Sequence, residues 1–172
     1  MELMSLVRFD DQVLHKPASS FDFNKPQVDP KELTNTLLLA KNTRNAYGIA
    51  APQIGIPLRV FAFMEEVAFN PEVVLEWGPF ENETEGCLSY PGIYVQVKRS
   101  KESKIKYQTE TGEWVERYTT TKLENMVFLH ELDHLNGVTF VDKVSDFKLK
   151  RAIEQANKHG QNYTFAELRG KV

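Results

Sequence analysis

The stretch LHELDHLNG, residues 129–137, carries two of the chain's four histidines, four positions apart, with Glu131 directly after the first. On an α-helix, positions i and i+4 share a face, so His130 and His134 can offer two ring nitrogens to one metal ion. Leu123, Met126 and Val127 fall on the same side, which places the histidines in the stripe that would be buried. Glu131 is turned about 100° from His130. A carboxylate there can take a proton from water held by the metal. Two histidines buried on one stripe without a cation would leave four ring nitrogens to satisfy, so the spacing favours metal binding. The pattern alone fits several hydrolase classes.

The third ligand would separate those classes, because a catalytic metal site commonly has three protein ligands and one open position. One extended protease motif would put a third histidine at residue 140, where this chain has Phe140, which cannot ligate. Glu154, on a later helix, would complete a zinc endopeptidase site. Cys87, in ENETEGCLSYPG (81–92), would complete a different one. Gly86 allows a bend or the close approach of another chain, and Glu85 is an unusual neighbour for a purely structural cysteine. A thiolate with two imidazoles suits Zn²⁺ or Fe²⁺. Spacing leaves both ligands open.

These residues need elements to hold them. A first helix starts with Asp29 as cap, Pro30 in the first position and Glu32 in the first turn. Leu33, Leu37, Ala40 and Arg44 follow at helical spacing, and the helix is expected to end near Tyr47-Gly48. Residues 10–28 read as loop, and GIAAPQIGIP (48–57) as a Gly- and Pro-punctuated loop. LRVFAFM (58–64) and EVAFNPEVVLEW (66–77) read as strands, the second broken at Asn70-Pro71. GIYVQVKR (92–99) alternates from Ile93 to Val97, and SKIKYQTETGEWVERYT reads as a hairpin turning at Thr111-Gly112 with Ile105 and Tyr107 inward. A second helix covers roughly 121–136, stopped by Gly137, and a third covers 146–159, opening with Asp146. The pattern predicts an α+β fold: mostly antiparallel strands packed around a central helix carrying the His-Glu-x-x-His motif, with N-terminal and C-terminal helices. Residues 1–172 read as a single catalytic domain.

Composition narrows the classes further. Lys plus Arg number 21 against 24 Asp plus Glu, so no basic balance points to nucleic acid. No apolar run is long enough to span a bilayer, and MELMSLVRFDD is not built like a secretory signal. One cysteine excludes an intrachain disulfide and fits a reducing, cytoplasmic setting. Residues 143–172 hold seven Lys or Arg and three Asp or Glu, a balance expected of a solvated helix face.

GIAAPQIG (48–55), EGCLS (85–89) and HELDH (130–134) together resemble, in order and interval, the three signature motifs of peptide deformylases. NPEVV (70–74) and the 146–159 helix resemble further parts of that family. The resemblance implies a metal-dependent hydrolase that removes the N-formyl group from the formyl-methionine of newly made polypeptides, releasing formate. It implies Cys87, His130 and His134 as ligands of Fe²⁺, replaceable by Zn²⁺, Ni²⁺ or Co²⁺, with Glu131 as general base and then acid. Gln53 through its amide and Leu88 through its backbone N–H would stabilise the oxyanion. Gly48 would pair with the substrate backbone. Tyr47, Leu123, Met126 and Val127, by position, would line the methionine pocket. A ribosome contact through the C-terminal helix is also implied. Two positions depart from the family's pattern. Ala46 stands where a glycine is usual, and Leu129 stands where a glutamine is usual. An inactive metal-binding or ribosome-associated relative is the alternative of a different class.

Overall fold

The computed structural model describes residues 4–170. The ends of the single-domain reading, with Lys171 of the basic tail, lie outside them. The elements in chain order are α1 (Pro30–Asn42), β1 (Gly48–Ala50), β2 (Val60–Phe63), β3 (Glu66–Cys87), β4 (Tyr90–Gln108), β5 (Trp114–Tyr118), α2 (Lys122–Leu135), α3 (Asp146–Lys158) and α4 (Phe165–Arg169). The strands form one antiparallel sheet in the order β1-β2-β3-β4-β5. This is the α+β arrangement that the sequence predicts.

The helix starts follow from their caps. Asp29 accepts a hydrogen bond from the Glu32 N–H with Pro30 in the first turn, and Thr121 accepts from the Glu124 N–H at the head of α2. α3 opens at Asp146, as the sequence predicts, with the Ser145 side chain accepting from the Lys148 N–H ahead of it. α1 ends at Asn42, short of Tyr47, because the chain turns away through Asn45, whose φ is 51°. Asparagine tolerates this left-handed backbone better than most residues.

Several loop expectations are corrected. Residues 48–57 are not simply loop: Gly48–Ala50 pairs with β2, and Ala51–Ile54 forms a 3₁₀ turn closed by Gly55. A three-residue edge strand is too short to show periodicity. Within 10–28, Gln12–His15 forms another 3₁₀ turn. β3 is not broken at Asn70-Pro71. The ladder shifts register between Phe69 and Glu72 and continues, a bulge that accommodates a proline with no N–H to give. The Asn70 side chain accepts from the Phe21 N–H and donates to the Phe21 carbonyl, tying the N-terminal segment to the sheet. The two strand segments expected at 92–99 and beyond 103 are one long strand, β4. Its inward alternation at Ile93, Val95, Val97, Ile105 and Tyr107 is as the sequence predicts. The short helix α4 was not foreseen.

Two apolar contacts position the helices. Phe128 of α2 sits edge-on to Phe61 and Phe63 of β2, with ring centroids 5.1 and 5.3 Å apart. That anchors α2 on the sheet by one fully buried ring, worth about 3 kcal/mol or more if truncated. α3 lays Leu149, Ala152, Ile153 and Ala156 against Ile93, Val95 and Val97 of β4. It is therefore built into the core and is not an appendage. Among the described residues, no helix is long and apolar enough to cross a membrane.

α2 stops at Gly137, whose φ is 69° and whose missing Cβ would lie 2.7–3.0 Å from the backbone of Lys16 and His15. Both constraints demand glycine. Gly137→Ala is expected to destabilise the protein by about 2 kcal/mol, read as a melting temperature roughly 4–8 °C lower. An unchanged melting temperature would show that neither constraint acts.

Candidate active site and metal centre

Cys87 is the last residue of β3, just before the two-residue turn Leu88-Ser89 that leads into Tyr90 of β4. This hairpin tip meets α2. The His130 and His134 ring centroids lie 5.0 Å apart, and Cys87 Sγ is 3.3 Å from His134 Nε2. One ligand atom from each of the three residues lies within 4.8 Å of the others. Donors bound at about 2.0–2.3 Å around one tetrahedral ion stand roughly 3.5 Å apart, so a small contraction closes the set. Two imidazoles and one thiolate match a borderline-soft divalent cation. Glu154 is exposed on α3 and is not part of this group.

The surroundings of His130 explain its orientation. Its Nδ1 is 2.7 Å from Glu85 Oε2, which leaves Nε2 for a metal. Glu85 accepts from Arg99 Nε at 2.7 Å and from a second Arg99 nitrogen at 2.9 Å. Arg99 also donates to Asp133 at 2.6 Å, and Lys143 reaches Asp133 from the other side. Burial alone would push the Glu85 carboxyl up. Its bonds with Arg99 and His130 outweigh that and hold it down to about 2. The sequence flagged Glu85 only as an odd neighbour. Arg99, Asp133 and Lys143 carried no signal, because their partnership exists only once β3, β4 and α2 are assembled.

Glu131 is buried, and its Oε2 has no hydrogen-bond partner among the described residues. Burial pushes its carboxyl up to about 7; the charge of Glu85 adds to this, while His130 and Arg99 oppose it. An unsatisfied carboxylate titrating near neutrality is suited to passing a proton back and forth. Gly48 exists to admit it. A Cβ on Gly48 would collide with Glu131 Oε1 and come within 2.8 Å of Val127 Cγ1.

Gln53 is buried in the turn after β1. Its Oε1 accepts from the Ala50 N–H at 2.8 Å, so its Nε2 points the other way, 3.3 Å from Cys87 Sγ. The cleft beside these groups has a volume of about 830 Å³. Gly48, Gln53, Cys87, Leu88, His130 and Glu131 line it, with Tyr47, Leu123, Met126 and Val127 forming apolar wall. His134 lies behind the lining, and burial holds its imidazole well below the ordinary value, neutral and able to ligate. Thr84 and Tyr94 also line the cleft and were not singled out by sequence.

The two departures have structural answers. Ala46 is not among the positive-φ residues; Asn45 takes that conformation instead, so residue 46 has no need of glycine. Leu129 is buried as an apolar side chain and offers no hydrogen bond to the site.

The chain matches the family model described as polypeptide deformylase over residues 3–150. It is 40% identical over 151 residues to the peptide deformylase of Thermotoga maritima, covering 81% of this chain and 86% of that protein. It is 34% identical to the peptide deformylase of Aquifex aeolicus, covering 89% and 94%. The structure is similar to that of a Synechococcus elongatus peptide deformylase solved with actinonin, with a TM-score of 0.85, 28% identity, and coverage of 96% and 90%.

Glu131 makes the metal-free fold pH-sensitive. A carboxyl that titrates near 7 when folded and near 4.5 when unfolded favours the fold below pH 4.5 and loses that contribution as pH rises through 7. In metal-free protein, Glu131→Gln is therefore expected to melt roughly 5–10 °C above the unsubstituted chain at pH 8, with the gap closing near pH 4. Equal melting at pH 8 would rule out a buried charge as the cause.

Proposed function

The chain belongs to the polypeptide deformylase family, metal-dependent hydrolases that remove the N-formyl group from new polypeptides, and we propose that Cys87, His130 and His134 hold the metal for that reaction here. The observation that carries this reading is the convergence of one thiolate and two imidazoles at the floor of an apolar cleft. A cation held there supplies Lewis acidity, making water a better nucleophile and polarising a carbonyl. A thiolate with two imidazoles suits Fe²⁺, with Zn²⁺, Ni²⁺ or Co²⁺ able to replace it.

Glu131 takes the proton from the attacking water and delivers it to the leaving amine, a role supported by its unpartnered Oε2. Gln53 Nε2 and the Leu88 N–H steady the charge that develops on the formyl oxygen. The Ala50–Gln53 bond supports this by fixing the direction of the amide. A formyl group is the smallest acyl group, so its carbonyl can enter where a larger one would meet the walls. β1 is an edge strand, and the substrate backbone adds to it at Gly48. Leu123, Met126 and Val127 take the methionine side chain, with exposed Tyr47 at the mouth.

The protein acts in the cytoplasm as one catalytic domain spanning residues 1–172; a lone cysteine used as a ligand suits a reducing compartment. Its basic C-terminal segment contacts the ribosome. Because Leu149 and Ile153 sit in the core, deletion of α3 would test stability, so charge reversal is the better probe. Lys150→Glu with Arg151→Glu and Lys158→Glu is expected to weaken co-sedimentation with ribosomes, and undiminished co-sedimentation would refute the contact.

Metal analysis of anaerobically purified protein, paired with formate release from a formyl-Met peptide, tests the central reading. Cys87→Ala is expected to lose metal and Glu154→Ala to keep it. Glu131→Gln is expected to keep metal and lose about 10²–10⁴ in turnover. Retained turnover would end the general-base assignment, and metal retained in Cys87→Ala but lost in Glu154→Ala would favour an endopeptidase.

A further inference from the structure

A second cavity, of about 610 Å³, lies between β4 and α3. It shares Tyr94 with the catalytic cleft. Tyr94 is 66% exposed, and its ring packs on Gly86, next to Cys87. A Cβ on Gly86 would lie 2.6 Å from Tyr94 Cε1. The glycine thus lets an aromatic side chain stand as a ridge between the two cavities.

The far side of that ridge is chemically distinct. Lys148, Arg151 and Lys158 line it against one carboxylate, Glu154. Among the described residues none of the three is in an ion pair, and Lys148 Nζ reaches only the Gln96 carbonyl, at 3.2 Å. Phe147 stands 69% exposed at the start of α3 with the Arg151 guanidinium 5.7 Å from its ring centre. The groove therefore offers an excess of cations beside an apolar ring. α3 is about 20 Å long, a length covered by about six extended residues.

We propose that the groove between β4 and α3 continues the substrate cleft, binding the new polypeptide several residues beyond its formyl-methionine and preferring acidic segments there. The inference rests on the deformylase reading. Its occupant is the downstream part of the same chain whose first residue lies in the cleft, because Tyr94 belongs to both walls. Exposed cations act on such a segment mostly through electrostatic attraction, which salt screens.

The test compares formate release from formyl-Met-Ala-Ser with that from two ten-residue formyl-Met peptides, carrying Glu or Lys at positions 5–9. At low salt the Glu peptide is expected to show kcat/KM about 5–10-fold above the tripeptide, mostly through KM, and the Lys peptide no gain. Lys148→Glu with Arg151→Glu should abolish the gain while leaving tripeptide kinetics unchanged, and high salt should shrink it. Equal kcat/KM for the two long peptides, or a preference that survives the double substitution, overturns the proposal. It is equally overturned if the substitution abolishes binding of an RNA hairpin while leaving peptide discrimination intact. No formate from any peptide overturns the deformylase reading itself; turnover without discrimination overturns only the groove.

Discussion

The bidentate pair between Arg99 and Glu85 is the interaction on which the centre depends. Both side chains are almost wholly buried, and two charges moved out of water are tolerable only when geometry and further hydrogen bonds compensate. Here they do. Glu85 comes from β3, Arg99 from β4, and Asp133 and His130 from α2, so one cluster ties three elements in a single arrangement. Losing one partner would leave an uncompensated buried charge, at a cost of about 3–5 kcal/mol. The same cluster aims His130. Stability and chemistry therefore share an origin: the charges that lock the sheet to the helix also hold His130 Nδ1, which leaves Nε2 as the nitrogen that would face a metal held there.

The centre is asymmetric in what it satisfies. Both carboxylate oxygens of Glu85 accept hydrogen bonds, and its carboxyl stays ionised. Glu131, 46 positions on in a chain that brings them to one site, keeps an oxygen without a partner. Two carboxylates in neighbouring environments are thus pushed to opposite ends of the titration range, one fixed and one able to exchange a proton. The glycine at residue 48 belongs to this division, since only an absent side chain lets Glu131 lie against the edge strand.

What could be read without coordinates followed local rules. The cap at Asp29, the helix carrying His130 and His134, the alternation of β4 and the stop at Gly137 all depend on near neighbours or on one period. Spacing leaves Cys87 as one of two possible ligands, the three-motif resemblance selects it, and the meeting of the hairpin tip with α2 brings it, and not Glu154, to the two histidines. The Arg99–Asp133–Lys143 connections stayed hidden because they are set by strand register and helix docking, not by spacing. In the sequence the bulge after Phe69 looks like a break, since Pro71 signals an interruption but not whether the ladder resumes. β1 was hidden for another reason: three residues give no period to detect.

Cys87 and His134 are separated by 47 positions along the chain. One at a hairpin tip and the other in the last turn of α2, they become neighbours only after that length of polypeptide has doubled back on itself. A cation joining them closes a long loop, as a disulfide would, and removes conformations mainly from the unfolded chain. Its effect reaches beyond chemistry: opening the hairpin tip away from α2, a local fluctuation in the empty protein, requires breaking a coordination bond in the loaded one. With an ion held there, the three residues would also act as a fastener for the wall of the cleft beside them.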